Sequence, residues 1–154
     1  MMRMTQAINE QHLVEAANHG VEVTYVTCHH GNRVPWQLGE TLMGRFQASD
    51  IDATLAAYRS LRQKYYGRAA YDFGKNTLVE VGNTLSADRH HAAAIRIYKE
   101  NLEHFPNSVY THVQIGRTYG AIEDTASALK HLKKALEIQL KSRWIKKLIS
   151  ELKN

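Results

Sequence analysis

Cysteine occurs once, at Cys28, so no disulfide can close within this chain and a cysteine-based structural zinc site is not expected. Proline is almost as scarce: only Pro35 and Pro106 are present, which leaves room for long uninterrupted helices. No Gly-x-Ser-x-Gly occurs, so there is no nucleophile elbow to present a serine. His-Glu-x-x-His is absent too, and the adjacent pairs His29-His30 and His90-His91 chelate poorly within a helix, where neighbours point about 100° apart. These histidines read as ordinary surface residues, and no metal or cofactor is expected. No apolar run reaches signal-peptide or membrane-spanning length, so the expectation is a cytoplasmic protein with no membrane partner.

What is present is an ordinary globular composition, 44% hydrophobic and 23% charged over 154 residues, enough for one domain with an appendage. The formal charge of +5 is unevenly placed. From Lys130 onward, eight basic residues face only Glu137 and Glu151, so the last two helices carry the whole excess. Such a patch could meet nucleic acid, but a solvated helix face is the favoured reading.

Self-similarity is the dominant signal. Gly82 recurs as Gly116 and Ala94 as Ala128, and at the same interval Leu85 is answered by Tyr119 and Tyr98 by Leu132. This shared interval predicts two helical hairpins, with helices over about 75–87 and 90–104, then about 108–121 and 124–139. Gly82 and Gly116 remove a side chain where paired helices approach most closely, and Ala94 and Ala128 do so from the opposing helix. Leu78, Val81, Leu85, Ile115 and Leu132 fill the wider parts. Asp88 and Asp124 are expected as N-caps, and Pro106 stops one hairpin before Asn107 or Ser108 caps the next. Flanking segments supply the rest of the stack: helices over about 37–46 and 52–66 form a degenerate leading hairpin, and Ser142 to Leu152 is an amphipathic cap. Tyr65, Tyr66, Tyr71 and Phe73 are expected to pack the junction between the leading hairpin and the first full repeat.

This period and residue pattern resemble the tetratricopeptide repeat family, whose unit is about 34 residues long. His112 departs from the pattern, standing where a bulky apolar residue is usual, and so does Leu140, where proline is usual. The fold class expected is mostly α: tetratricopeptide-like antiparallel hairpins stacked as a short solenoid, with a short N-terminal helix–strand segment. Two domains are expected, residues 1–35 and residues 36–154. From about Pro35 onward the chain is also similar in style to the repeat tails of certain bacterial serine hydrolases, both α/β-hydrolase esterases and β-lactamase-like proteins. The pieces that carry this are Tyr71-Asp72-Phe73, Leu78-Val79-Glu80-Val81-Gly82 and Phe105-Pro106-Asn107-Ser108. A helix at Asn9 to Asn18, a strand at Val21 to Thr27, then His29 and His30 follow the order that closes an α/β-hydrolase. Yet a base without a nucleophile performs no acyl transfer. Ser127-Ala128-Leu129-Lys130 spells a Ser-x-x-Lys, but Ala128 is the packing alanine of a repeat helix and the match is read as coincidence.

Function is therefore expected to be binding, not catalysis. Stacked hairpins present their first helices on a concave face. On this register the face carries Asn76, Val79, Glu80 and Asn83, then Tyr110, Val113, Gln114 and Arg117, with Trp144 and Lys147 from the cap. A protein or peptide partner is expected there. The alternative is the C-terminal fragment of a serine hydrolase whose nucleophile domain is missing; nucleic-acid binding is a weaker third reading. The strand at 21–27 has no sheet of its own, so a homodimer paired through it is a further expectation.

Overall fold

The computed structural model describes residues 37–68 and 70–152. The expected helix–strand segment of 1–35, with its pairing strand, Cys28, His29 and His30, lies outside the described residues. Among the described residues there are seven α-helices and no strand. These are α1 (Leu38–Ala48), α2 (Ile51–Tyr65), α3 (Thr77–Ala87), α4 (His91–His104), α5 (Val109–Ala121), α6 (Thr125–Ile138) and α7 (Arg143–Glu151). None is long and apolar enough to cross a membrane.

Polar side chains set several of the helix starts. Asp50 accepts the Ala53 N–H at 2.8 Å, Ser108 that of Thr111 at 3.3 Å and Asp124 that of Ser127 at 3.0 Å, each relieving an orphan donor of the first turn. Asp88 does not behave as expected. It ends α3, and α4 follows His90, whose side chain makes no capping bond. The reason is the turn. Arg89 takes φ 64°, and the His90 N–H returns to the Leu85 carbonyl at 2.8 Å, so the chain reverses before the new helix begins. The next hairpin repeats this geometry one period on: Glu123 takes φ 62° and the Asp124 N–H reaches the Tyr119 carbonyl at 3.0 Å. Asp88 therefore aligns with Ile122, two positions from the cap, whereas Asp124 aligns with His90.

Packing follows the same register. Helices pair in order, α1 with α2, α3 with α4 and α5 with α6; α1 and α5 then flank α3, α4 contacts α2 and α5, and α7 packs against α6. Gly82 lies under the Tyr98 ring and Gly116 under Leu132 and the Ala128 backbone, so the glycines are where the helices of each pair come closest. Ala94 and Ala128 are fully buried opposite them. Ile145 is the fully buried anchor of α7, packed with Val113, Leu132 and Ala135.

Between α2 and α3, Tyr65, Tyr71 and Phe73 close the junction as expected, whereas Tyr66 touches Phe73 from outside and is 62% exposed. Phe73 is buried with its ring edge-on to Tyr58 at 6.0 Å, and Tyr71 bridges Tyr65 and Phe73 at 5.5 and 6.1 Å. Arg59 to Glu100 at 2.6 Å, and the pairing of Arg96 with Asp52, tie α2 to α4 across the outer side.

Candidate functional site

The face carried by α3 and α5 is organised by one amide. Asn83 Oδ1 accepts two hydrogen bonds, from the Tyr98 hydroxyl at 2.8 Å and from Gln114 Nε2 at 2.8 Å. Gln114 Nε2 also donates to the Tyr110 hydroxyl at 3.0 Å. The Tyr98 ring comes from α4, and it reaches this face because Gly82 leaves it room. Burial pushes the Tyr98 hydroxyl up to about 12, so it remains a neutral donor across the physiological range. The row thus runs from the second helix of one hairpin to the first helix of the next. With Asn83 Oδ1 doubly occupied, its Nδ2 has no protein partner among the described residues, and neither has Gln114 Oε1.

Two shallow depressions flank this row. One, of about 390 Å³, is lined by Asn83, Gln114 and Arg117 with Tyr98, His91 and Thr118 among its walls. The other, of about 550 Å³, is lined by Asn76 and Tyr110 together with Lys75, Phe105, Pro106 and Ser108. The Tyr110–Gln114 bond links a wall of one to a wall of the other. Five of the expected residues, Asn76, Asn83, Tyr110, Gln114 and Arg117, therefore line these two depressions.

Val79 and Val113 are not on it. Each is about 1% exposed; Val113 packs with Ile145 and Leu132, and Val79 joins the main core. They correct the expectation in a simple way: a first helix here is covered on two sides, by its own partner and by the adjacent pair, which leaves a narrower free arc than a two-helix hairpin would. Glu80 is exposed but lines neither depression. Trp144 is 44% exposed and Lys147 pairs with Glu151 at 3.7 Å on α7. Trp144 stands one period after Tyr110, itself one period after Asn76, so the three hold one register position on successive hairpins.

Tyr98, His91 and Thr118 were not anticipated here. Thr118 follows Gln114 by four residues and was legible as a same-face neighbour. Tyr98 and His91 belong to a second helix, and only the glycine-sized gap at position 82 hints that one of them passes through. His91 Nδ1 is buried without a hydrogen-bond partner.

Ser127 and Lys130 lie on α6, with Ala128 between them buried against Gly116, as the packing role requires. No group of three or more His, Cys, Asp or Glu side chains among the described residues is placed to hold a metal ion. No protein-family model matches the chain, and no curated protein matches it.

Proposed function

We propose that this chain is a non-catalytic interaction module of tetratricopeptide type that holds an extended segment of a protein partner across α3 and α5. The observation that carries the reading is the Asn83–Gln114–Tyr110 row. It leaves one amide donor, Asn83 Nδ2, and one amide acceptor, Gln114 Oε1, without a protein partner among the described residues, on two side chains that line the same depression. A peptide unit offers the complementary acceptor and donor. Arg117 adds an exposed cation at one edge, and Tyr110 an exposed ring whose hydroxyl is already held in place, so little conformational entropy is lost on binding.

The test is capture of a partner from the native host by the wild-type chain and by the double variant Tyr110→Ala/Arg117→Ala. Both residues are exposed, so the variant should keep wild-type thermal stability to within about 0.5 kcal/mol. A protein retained by the wild type and lost by the folded variant supports the assignment. Equal retention by both would move binding off this face.

A further inference from the structure

In the α3–α4 hairpin, Leu78 and Ile97 are core residues, 1% and 0% exposed. One period on, the same two positions in α5 and α6 are His112 and His131. The repeat therefore offers its own control: a site that one hairpin fills with two aliphatic side chains is filled in the next by two imidazoles.

With both rings neutral, their hydrogen bonds fix the tautomers. His112 Nε2 lies 3.2 Å from the Pro106 carbonyl, an acceptor only, so that nitrogen carries the proton and His112 Nδ1 presents a lone pair. His131 Nδ1, 3.2 Å from it, must then be the donor. The cations around the pair favour the neutral state. The His131 ring stacks on Tyr119 at 5.9 Å, and Lys99 of α4 stands 5.8 Å from the centroid of that tyrosine. Lys130 and Lys134 of α6 and Lys99 of α4 are the cations acting on the pair; Glu137 of α6 is the carboxylate acting on it. Three positive groups against one negative also disfavour a divalent ion between the two nitrogens.

We infer that the His112–His131 pair is a proton-responsive joint, holding α5 to α6 while both imidazoles are neutral and loosening that hairpin in acid. One added proton can be held between the rings, each able to donate to the other's lone pair, whereas a proton on both Nδ1 atoms leaves two donors facing each other and breaks the bond. A single proton on His131 keeps the bond but places a charge beside Lys99 and Lys130. Burial is the first cause holding both rings below the usual histidine value, His131 at about 4. The sign follows from linkage. With the folded value depressed below 6.5, the unfolded chain binds more protons between about 6.5 and 4, so stability falls as pH falls through that window. Pro106 also lines the larger depression on the α3–α5 face, so loosening the joint would deform that wall. That consequence rests on the binding role proposed above, whereas the joint itself does not.

The experiment compares the full chain with the double variant His112→Leu/His131→Ile, which restores the residues of the sister hairpin. Urea unfolding from pH 7.5 to 5.0 should show the wild-type folding constant falling about tenfold more than the variant's, after discounting for partial exposure of His131. Parallel curves would overturn the inference. Should the variant not fold, NMR titration of the His131 ring in the wild-type protein decides. Protonation well below 6.5, with loss of α5–α6 amide protection, supports the joint; protonation near 6.5 without such loss rejects it.

Discussion

Replacing Gly82 by alanine tests the packing logic of the stack at its tightest point. A methyl carbon built there would lie 2.3 Å from Tyr98 Cε1, 2.7 Å from Cδ1 and 2.8 Å from Cζ. The ring cannot swing aside freely, because Tyr98 is 1% exposed and its hydroxyl is held by Asn83 at 2.8 Å. Either α3 and α4 separate or the ring tilts and gives up that bond. Overpacking of this kind costs about 1–3 kcal/mol. Losing a neutral hydrogen bond adds about 0.5–1.5 kcal/mol. Against this, alanine in place of a mid-helix glycine gains about 1 kcal/mol of helix preference. The balance is a loss of about 1–3 kcal/mol. Gly44 supplies the control, since it sits inside α1 with nothing within 4 Å of the same methyl position. Gly44→Ala should stabilise by about 0.5–1 kcal/mol. Urea unfolding followed by far-UV circular dichroism measures both, read as midpoint shifts at unchanged slope. If Gly82→Ala gained as much as Gly44→Ala, the close approach of α3 and α4 would be refuted.

Two further changes probe the joints between hairpins. Asn101 is fully buried and its amide donates to the Lys75 carbonyl at 3.1 Å and to Thr111 Oγ1 at 2.8 Å, clipping the start of α3 to α5. Asn101→Ala should lower stability by about 1–3 kcal/mol, seen as a drop in thermal midpoint, although the sister position is already an alanine, Ala135. A wild-type midpoint would show that the clip is dispensable. Hydrogen bonding by Ser127 lowers the Asp124 carboxyl below its ordinary 3.8, so its contribution is complete above that value and is lost as pH falls through the lower folded one. Asp124→Asn keeps a capping oxygen without the charge, and should therefore match the wild type at neutral pH while showing a shallower loss of stability below about pH 4. Identical acid limbs would count against the cap.

The helices were legible because their spacing encodes a packing constraint. A glycine and an alanine that recur together, at one interval and in both hairpins, can only serve a repeated close approach, and the structure puts Gly82, Ala94, Gly116 and Ala128 there. The turn between the helices was less legible. Its left-handed residues are Arg89 and Glu123, neither of a type that advertises positive φ, so the cap was placed at Asp88, two residues early. The placement of residues around the two depressions was legible in part. Asn83, Gln114, Tyr110, Arg117 and Asn76 follow from helical register alone, whereas Val79 and Val113 were assigned to the surface because covering by the adjacent pair is a tertiary fact. Tyr98 escaped for the converse reason: a second-helix residue reaches a first-helix face only where the intervening side chain is missing.

The same register explains part of the chain's basic excess. Ser142, Trp144 and Ile149 stand one period after Ser108, Tyr110 and Ile115, so α7 occupies the place of a third first helix. Its apolar side is intact, with Ile145 buried on Val113 and Leu132. The side that in α5 receives α6 is different. There His112 and Gly116 are replaced, at the same register, by Lys146 and Ser150, both exposed. A helix packed on that side would have to bury a lysine where the repeat places a core residue and lose the glycine that lets helices meet. With α7 closed in this way, Lys146 is a solvent-facing substitute for an interface residue, as is Lys147 at the position of Val113. Two of the eight basic residues counted from Lys130 onward, Lys146 and Lys147, are thus accounted for by how α7 is finished.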